Sequence, residues 1–359
     1  MFRRPRLAAG RVRLAATLGT ATLALTAAAG ALVPLSAAGG TAHSAQGTQA
    51  IAVEPFASKI AAYGGVVAWS HWDQTTREYR LMAHYRGRSE LLRAAPRRVP
   101  FDVDLGPDTQ GRAVAVYSRC RRERPVWMLG ADTPTGLPSG CVLYRYDFAT
   151  KREGRIAGFT GAGSFYLPSL WRNEIAYVRV SAGGGPALVA QPLTAPRGGK
   201  LAVVSLPGDS AGAPGPVSLD LGPGRLAFSW ETISGGQIDS AIDVDTLPLS
   251  ARAAPTGLAV DTESSGVGAP GFLSFPSFAS GGLYYGQFDG SPILPSADAF
   301  QRIAPDGSGA AAAGAPHALR GQARDGATTY ALDGPYAGQF LDCGATGCTL
   351  VALAGTRDR

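Results

Sequence analysis

Six short apolar runs recur along the chain, each following a turn: GGVVAWS (64–70), RAVAVYS (112–118), NEIAYVRV (173–180), GRLAFSW (224–230), GGLYYGQF (281–288) and GATTYAL (326–332). Their spacing is roughly 45 to 60 residues, which is the length of one four-stranded unit in a radial repeat. Each run alternates in side-chain direction yet is apolar or aromatic on both faces, so it must be covered on two sides. Twisted sheets stacked face to face around an axis satisfy that demand. The predicted fold is therefore all-β, a six-bladed β-propeller of four-stranded antiparallel blades. The units run roughly over 51–100, 101–160, 161–214, 215–264, 265–315 and 316–359.

Residues 101–160 show the unit most fully. An acidic strand (FDVDLG) leads into a turn with Pro107, Asp108 and Gly111, then an apolar strand, a long loop, the strand CVLYRYDF and a charged turn at Thr150–Gly154. Pro, Asp and Gly are the residues of tight antiparallel reversals. Asp104-Leu105-Gly106-Pro107 reappears as Asp220-Leu221-Gly222-Pro223, which assigns the two tetrapeptides to equivalent corners of units two and four. Gly and Pro are spread along the whole length, and no amphipathic helix longer than a few turns follows the leader.

The cysteines test the repeat separately. Cys120 and Cys343 each end a second strand, whereas Cys141 and Cys348 each begin a third. Four cysteines allow three pairings, and repeat equivalence selects Cys120 with Cys141 and Cys343 with Cys348. A zinc site is the rival use, but no two cysteines are spaced by two residues and no His is near. Disulfides suit an exported protein. The N-terminus has the same implication: Arg3, Arg4, Arg6, Arg11 and Arg13 precede an Ala/Leu/Thr run from Leu14 to Leu35, then small residues. That is a secretory layout over residues 1–44, with cleavage after Ala38 or Ser44. Retention of the run as an anchor is the alternative; after cleavage no membrane insertion is expected.

Those five arginines account for most of the formal charge of +6: without them 28 of the 33 basic residues face 27 acidic ones. A nearly neutral mature domain argues against nucleic acid as the main partner.

Residues DVDLGPDTQGRAVAVYS with VLYRYDFATKREGRI, and SLDLGPGRLAFSW, resemble the repeats, often called PD40 or WD40-like, of the TolB-like six-bladed β-propellers. The usual Ser-Pro-Asp-Gly turn is replaced here by Gly-Pro-Asp in unit two. The resemblance implies the same fold over 51–359, and it implies no partner, since the separate N-terminal domain of TolB is missing.

No catalytic residue, cofactor or metal is assigned. The one Gly-x-Ser-x-Gly, at 208–212 around Ser210, is followed by Ala-Pro-Gly-Pro-Val and lacks the helix a nucleophile elbow needs. His71 and Asp73 share a strand face at a blade end, and His84 alternates with apolar neighbours. Carboxylates two or four apart (Asp102/Asp104, Asp239/Asp243/Asp245, Asp261/Glu263) are read as turn caps and hairpin hydrogen bonds, the alternative being a calcium site. The recurrent aromatics Trp69, Tyr117, Tyr177, Phe228, Tyr284 and Tyr285 are read as core between blades.

The expected function is an exported, non-catalytic binding scaffold of the cell envelope or exterior, meeting a protein or an envelope polymer through its loop faces. The long loop 121–140 is the first candidate, with Arg121, Arg122, Arg124, Trp127 and Met128 as binding residues and Leu129 beside them; loss of 125–137 is expected to abolish capture. Arg97 and Arg98 extend this set as a basic rim. The alternative is a propeller hydrolase or lyase acting on an extracellular polymer.

Overall fold

A computed structural model describes residues 48–55, 58–124, 137–159, 163–181, 184–193, 203–205, 215–234, 237–249, 258–265, 271–279, 282–289, 296–303, 311–312, 341–344 and 347–353. Among them every regular element is a strand. After β1 (Thr48–Glu54), the first sheet holds β2 (Ala61–Tyr63), β3 (Val66–Asp73), β4 (Glu78–Tyr85) and β5 (Arg88–Leu91). The second holds β6 (Asp104–Pro107), β7 (Ala113–Arg119), β8 (Val142–Asp147) and β9 (Arg152–Arg155), and the third β10 (Ser164–Trp171), β11 (Glu174–Val180), β12 (Pro186–Pro192) and β13 (Val203–Ser205). In the fourth are β14 (Gly215–Gly222), β15 (Arg225–Ser234), β16 (Gln237–Thr246) and β17 (Leu258–Ser265), followed in the fifth by β18 (Gly271–Ala279), β19 (Gly282–Asp289), β20 (Ser296–Ile303) and β21 (Ala311–Ala312). The last strands are β22 (Leu341–Gly344) and β23 (Gly347–Leu353).

Five sheets are antiparallel meanders in chain order, and the sixth has the order β1-β23-β22. The first strand therefore completes the last sheet, although it stands in sequence at the head of the first unit: Thr48 lies opposite Leu353 and Glu54 opposite Cys348. This arrangement is a six-bladed β-propeller closed by its two ends. Five of the six apolar runs fall on the second strands β3, β7, β11, β15 and β19; the sixth, 326–332, lies outside the described residues.

The core consists of layers between successive sheets. Leu81, Phe101, Tyr117 and Tyr146 fill the space between the first and second sheets. Between the second and third lie Val116, Phe159 and Tyr177, between the third and fourth Tyr166, Val178 and Phe228, and between the fourth and fifth Ala227, Ile242 and Phe278. Strand alternation explains why the runs are apolar throughout: Ala115 and Tyr117 of β7 face the first sheet, while Val114 and Val116 face the third. Each fully buried Val, Leu or Phe contributes about 1.5–3 kcal/mol of hydrophobic stabilisation.

Hydrogen bonds stitch the same layers. The innermost strand of each sheet has one edge without a strand partner, and its N–H groups need acceptors. Ser70 Oγ accepts from Phe101 N at 2.8 Å, Asp104 Oδ2 from Leu170 N at 3.1 Å, Ser169 Oγ from Leu221 N at 2.8 Å, and Asp220 Oδ2 from Phe278 N at 2.6 Å. Each bond joins one sheet to the next. The echoed aspartates thus tie neighbouring sheets together. At the seam of the ring, the buried Glu54 accepts from Trp69 Nε1 at 2.8 Å and from Trp72 N at 3.1 Å, and it pairs with His71 Nδ1 at 2.9 Å.

Candidate binding loop on the second sheet

The loop between β7 and β8 leaves the sheet at Cys120 and returns at Cys141, and a disulfide joins these two residues across a separation of 21. Beyond the disulfide, Arg122 and Ser139 exchange two backbone hydrogen bonds of 3.1 Å each. Gly140 has φ +65, a left-handed conformation that glycine adopts without steric cost. A Cβ there would meet Arg121 Nε at 2.7 Å.

Each arm of the loop is anchored to a different segment, the returning arm to the third sheet and the outgoing arm to the connection between β5 and β6. On the returning arm, Ser164 of β10 donates its hydroxyl to Pro138 O at 3.0 Å and accepts from Cys141 N at 3.2 Å. Leu137 packs against the layer between the third and fourth sheets. On the outgoing arm, Glu123 accepts from Arg97 Nε at 3.0 Å and from Arg98 N at 2.8 Å.

Arg97 is the hub behind this arm. It is 5% exposed, its guanidinium stands 5.2 Å over the Phe101 ring, and its Nη1 donates to Ser118 O at 2.9 Å and to Asp102 Oδ1 at 3.2 Å. Asp102, fully buried, also accepts from Ser118 N at 2.9 Å, Ser118 Oγ at 2.6 Å and Leu167 N at 2.8 Å. Burial works to raise its pKa, but the Arg97 charge and these donors outweigh it and hold the carboxyl below its ordinary value of 3.8. The carboxylate stays ionised and bonds the loop base to the second and third sheets.

Of the predicted binding residues, Arg121 and Arg122 are exposed at the closed base and Arg124 is half-buried. Trp127 and Met128, with Leu129, lie outside the described residues. Arg98 is exposed, but Arg97 belongs to the interior and not to a basic rim. Its side chain runs under the loop because two carboxylates and a carbonyl receive it there. Arg119 is likewise engaged, paired with Glu153 and stacked 4.4 Å over the Tyr144 ring. Sequence reasoning missed Glu123, Ser164 and the role of Arg97. The available signal was Glu123 itself, the only carboxylate within the arginine-rich run 119–124.

The other polar candidates have local roles. Asp73 accepts from Thr75 N and Thr76 N and pairs with Arg80 at 2.9 Å, capping its turn. His84 Nδ1 meets Ser89 Oγ across strands at 3.0 Å. Asp243 receives Trp230 Nε1, and Asp245 is buried. The side chains of Asp239, Asp261, Glu263, Tyr284, Tyr285, Cys343 and Cys348 lie outside the described residues, as does Ser210; β22 and β23, which carry the two cysteines, are paired neighbours. Among the described residues no three His, Cys, Asp or Glu side chains are grouped to hold a metal, and no helix is long and apolar enough to cross a membrane.

No protein-family model matches the chain, and no curated protein matches it by sequence. Solved structures to which it is similar include TolB from Acinetobacter baumannii, at 12% identity and a TM-score of 0.41 over 83% of this chain and 66% of that one. A puromycin-hydrolyzing peptidase of Mycobacterium tuberculosis is similar at 14% and 0.39, over 76% and 49%. The β-propeller domain of the Trilobed protease from Pyrococcus furiosus is similar at 9% and 0.33, over 71% and 83%. The chain thus spans less than two thirds of the first two. At these identities and scores the likeness transfers no function.

Proposed function

We propose that the protein is an exported, non-catalytic binding scaffold that captures a protein or an envelope polymer through loop 121–140, behind a leader over residues 1–44. The observation that carries this reading is the double closure of the loop base, by the Cys120–Cys141 bond and the Arg122/Ser139 pair. A loop whose two ends are held by a covalent bond and by separate segments loses less conformational freedom on binding, which favours affinity. The disulfide and the basic, then apolar, N-terminal layout both support an extracytoplasmic location.

The test replaces residues 125–136 by a short Gly-Ser link in the full chain, leaving Leu137 and both cysteines in place. Retention from a native envelope fraction is followed by mass spectrometry. The expected result is loss of at least one retained species with an unchanged thermal midpoint. Equal retention of every species by the two chains overturns the proposal.

A further inference from the structure

In a four-stranded meander the turns after the first and third strands emerge at one end and the turn after the second at the other. The loop 121–140 follows a second strand, so the first-and-third turns form the opposite face of the ring. Contacts between sheets bring these turns together. Arg172 N, past the end of β10, donates to Pro107 O at the end of β6 at 2.7 Å. The rings of Tyr63 and Trp171, at the ends of β2 and β10, lie 6.2 Å apart edge to face. Lys151 of the second sheet reaches Glu90 of the first at 3.2 Å.

On this face of the first three sheets, Arg86, Arg88, Arg112, Lys151, Arg152 and Arg172 are all exposed. The carboxylates among them, Glu90, Asp108, Asp147 and Glu174, are half-buried or buried. The ion pairs share this polarity: side-chain exposure is 67% for Arg88 against 21% for Glu90, and 47% for Arg112 against 10% for Asp108. Under the loop the order reverses, with Arg97 at 4% and Glu123 at 20%. Although the mature domain is nearly neutral, the turn face projects cations above recessed acids.

We infer that this turn face docks an anionic polysaccharide carrying repeated carboxylates or phosphates. Cations dispersed over hairpin tips of three sheets match charges repeated along a polymer better than a single small anion. A protein partner would require desolvated apolar anchors. The exposed large hydrophobics among the described residues, Val53 and Leu91, stand on strands and not on these turns. The half-buried Tyr63 and Trp171 lie among these turns and pack on the core beneath them. This site is independent of loop 121–140, and the Gly-Ser chain described above should bind the polysaccharide unchanged.

The test uses the full chain with its disulfide intact and measures binding to polygalacturonate, a phosphomannan, neutral dextran and poly-glutamate. Variants are Arg86→Asn/Arg152→Ser/Arg172→Asn on the turn face and Arg77→Asn/Arg93→Ser/Arg155→Ser, of equal charge loss, away from it. Asn is chosen where φ is positive, at 86, 172 and 77, because it tolerates that conformation. The pair Arg86→Asn/Arg172→Asn serves if the triple fails to fold. Expected are binding of at least one anionic polysaccharide that weakens with salt, none of dextran, at least tenfold weakening by the turn-face triple (about threefold by the pair), and less than twofold by the other. The tighter polysaccharide identifies carboxylate or phosphate as the charge. No binding to either, equal losses from both triples, or tighter binding of poly-glutamate overturns the proposal, the last assigning the face to an acidic polypeptide.

Discussion

Substitution of Asp102 by Ala should be among the most damaging single changes in the second sheet. It removes the carboxylate partner of a guanidinium that is 5% exposed and the acceptor of Ser118 N and Leu167 N. Breaking a buried ion pair from one side costs about 3–5 kcal/mol, and each buried donor left unmade costs about 1–3 kcal/mol. Arg97 keeps Ser118 O and Glu123, which offsets part of this, so the expected loss is about 3–5 kcal/mol in urea unfolding followed by circular dichroism. Asp102→Asn keeps an oxygen acceptor and should lose about half as much. The pH dependence separates charge from packing. Because the folded pKa is below 3.8, the contribution is present above about pH 4 and is lost as pH falls through the folded value. The Asn variant should therefore have a flatter stability profile below pH 4 than the parent. A loss under about 1 kcal/mol for Asp102→Ala, or parallel acid profiles for parent and Asn variant, would refute the reasoning.

Replacing Cys120 and Cys141 together by Ser should lower stability by about 3 kcal/mol, from the loop-closure entropy of a 21-residue separation; unfolding with and without reductant checks this, and coincident curves for the parent would contradict it. Gly222→Ala places a methyl 2.7 Å from Phe278 Cδ2 and should cost about 1–3 kcal/mol by overpacking. Its thermal midpoint should fall while that of Gly154→Ala, which meets nothing within 4 Å, stays close to the parent.

The strands were legible because their burial is written in composition. A run such as Val114-Ala115-Val116-Tyr117 is apolar at odd and even positions alike, and it is the β7 strand between two neighbouring sheets. The Asp-Leu-Gly-Pro echo located corresponding inner strands, but not what the aspartates do. Their partners, Leu170 N and Phe278 N, are 66 and 58 residues away, and only the stacking of sheets brings them near. The hairpins after the echo also differ: Pro107 pairs with Ala113, whereas Gly222 pairs with Arg225. The Cys120–Cys141 bond followed from strand equivalence. Arg97 was misplaced on the rim for a simple reason: an arginine is exposed unless acceptors wait inside, and its two carboxylate partners, Asp102 and Glu123, stand 5 and 26 residues further along the chain, the second brought near only by the fold.

The seam between β1 and β23 imposes an order on biosynthesis. Thr48 can find Leu353 only after all the residues between them have been made, so the longest-range pairing in the ring comes last and is entropically the slowest. A chain cut short before β23 leaves β1 as a bare edge open to pairing with a neighbour, and Glu54 without the strand that positions it. The join thereby keeps the ring open until its final strand is in place.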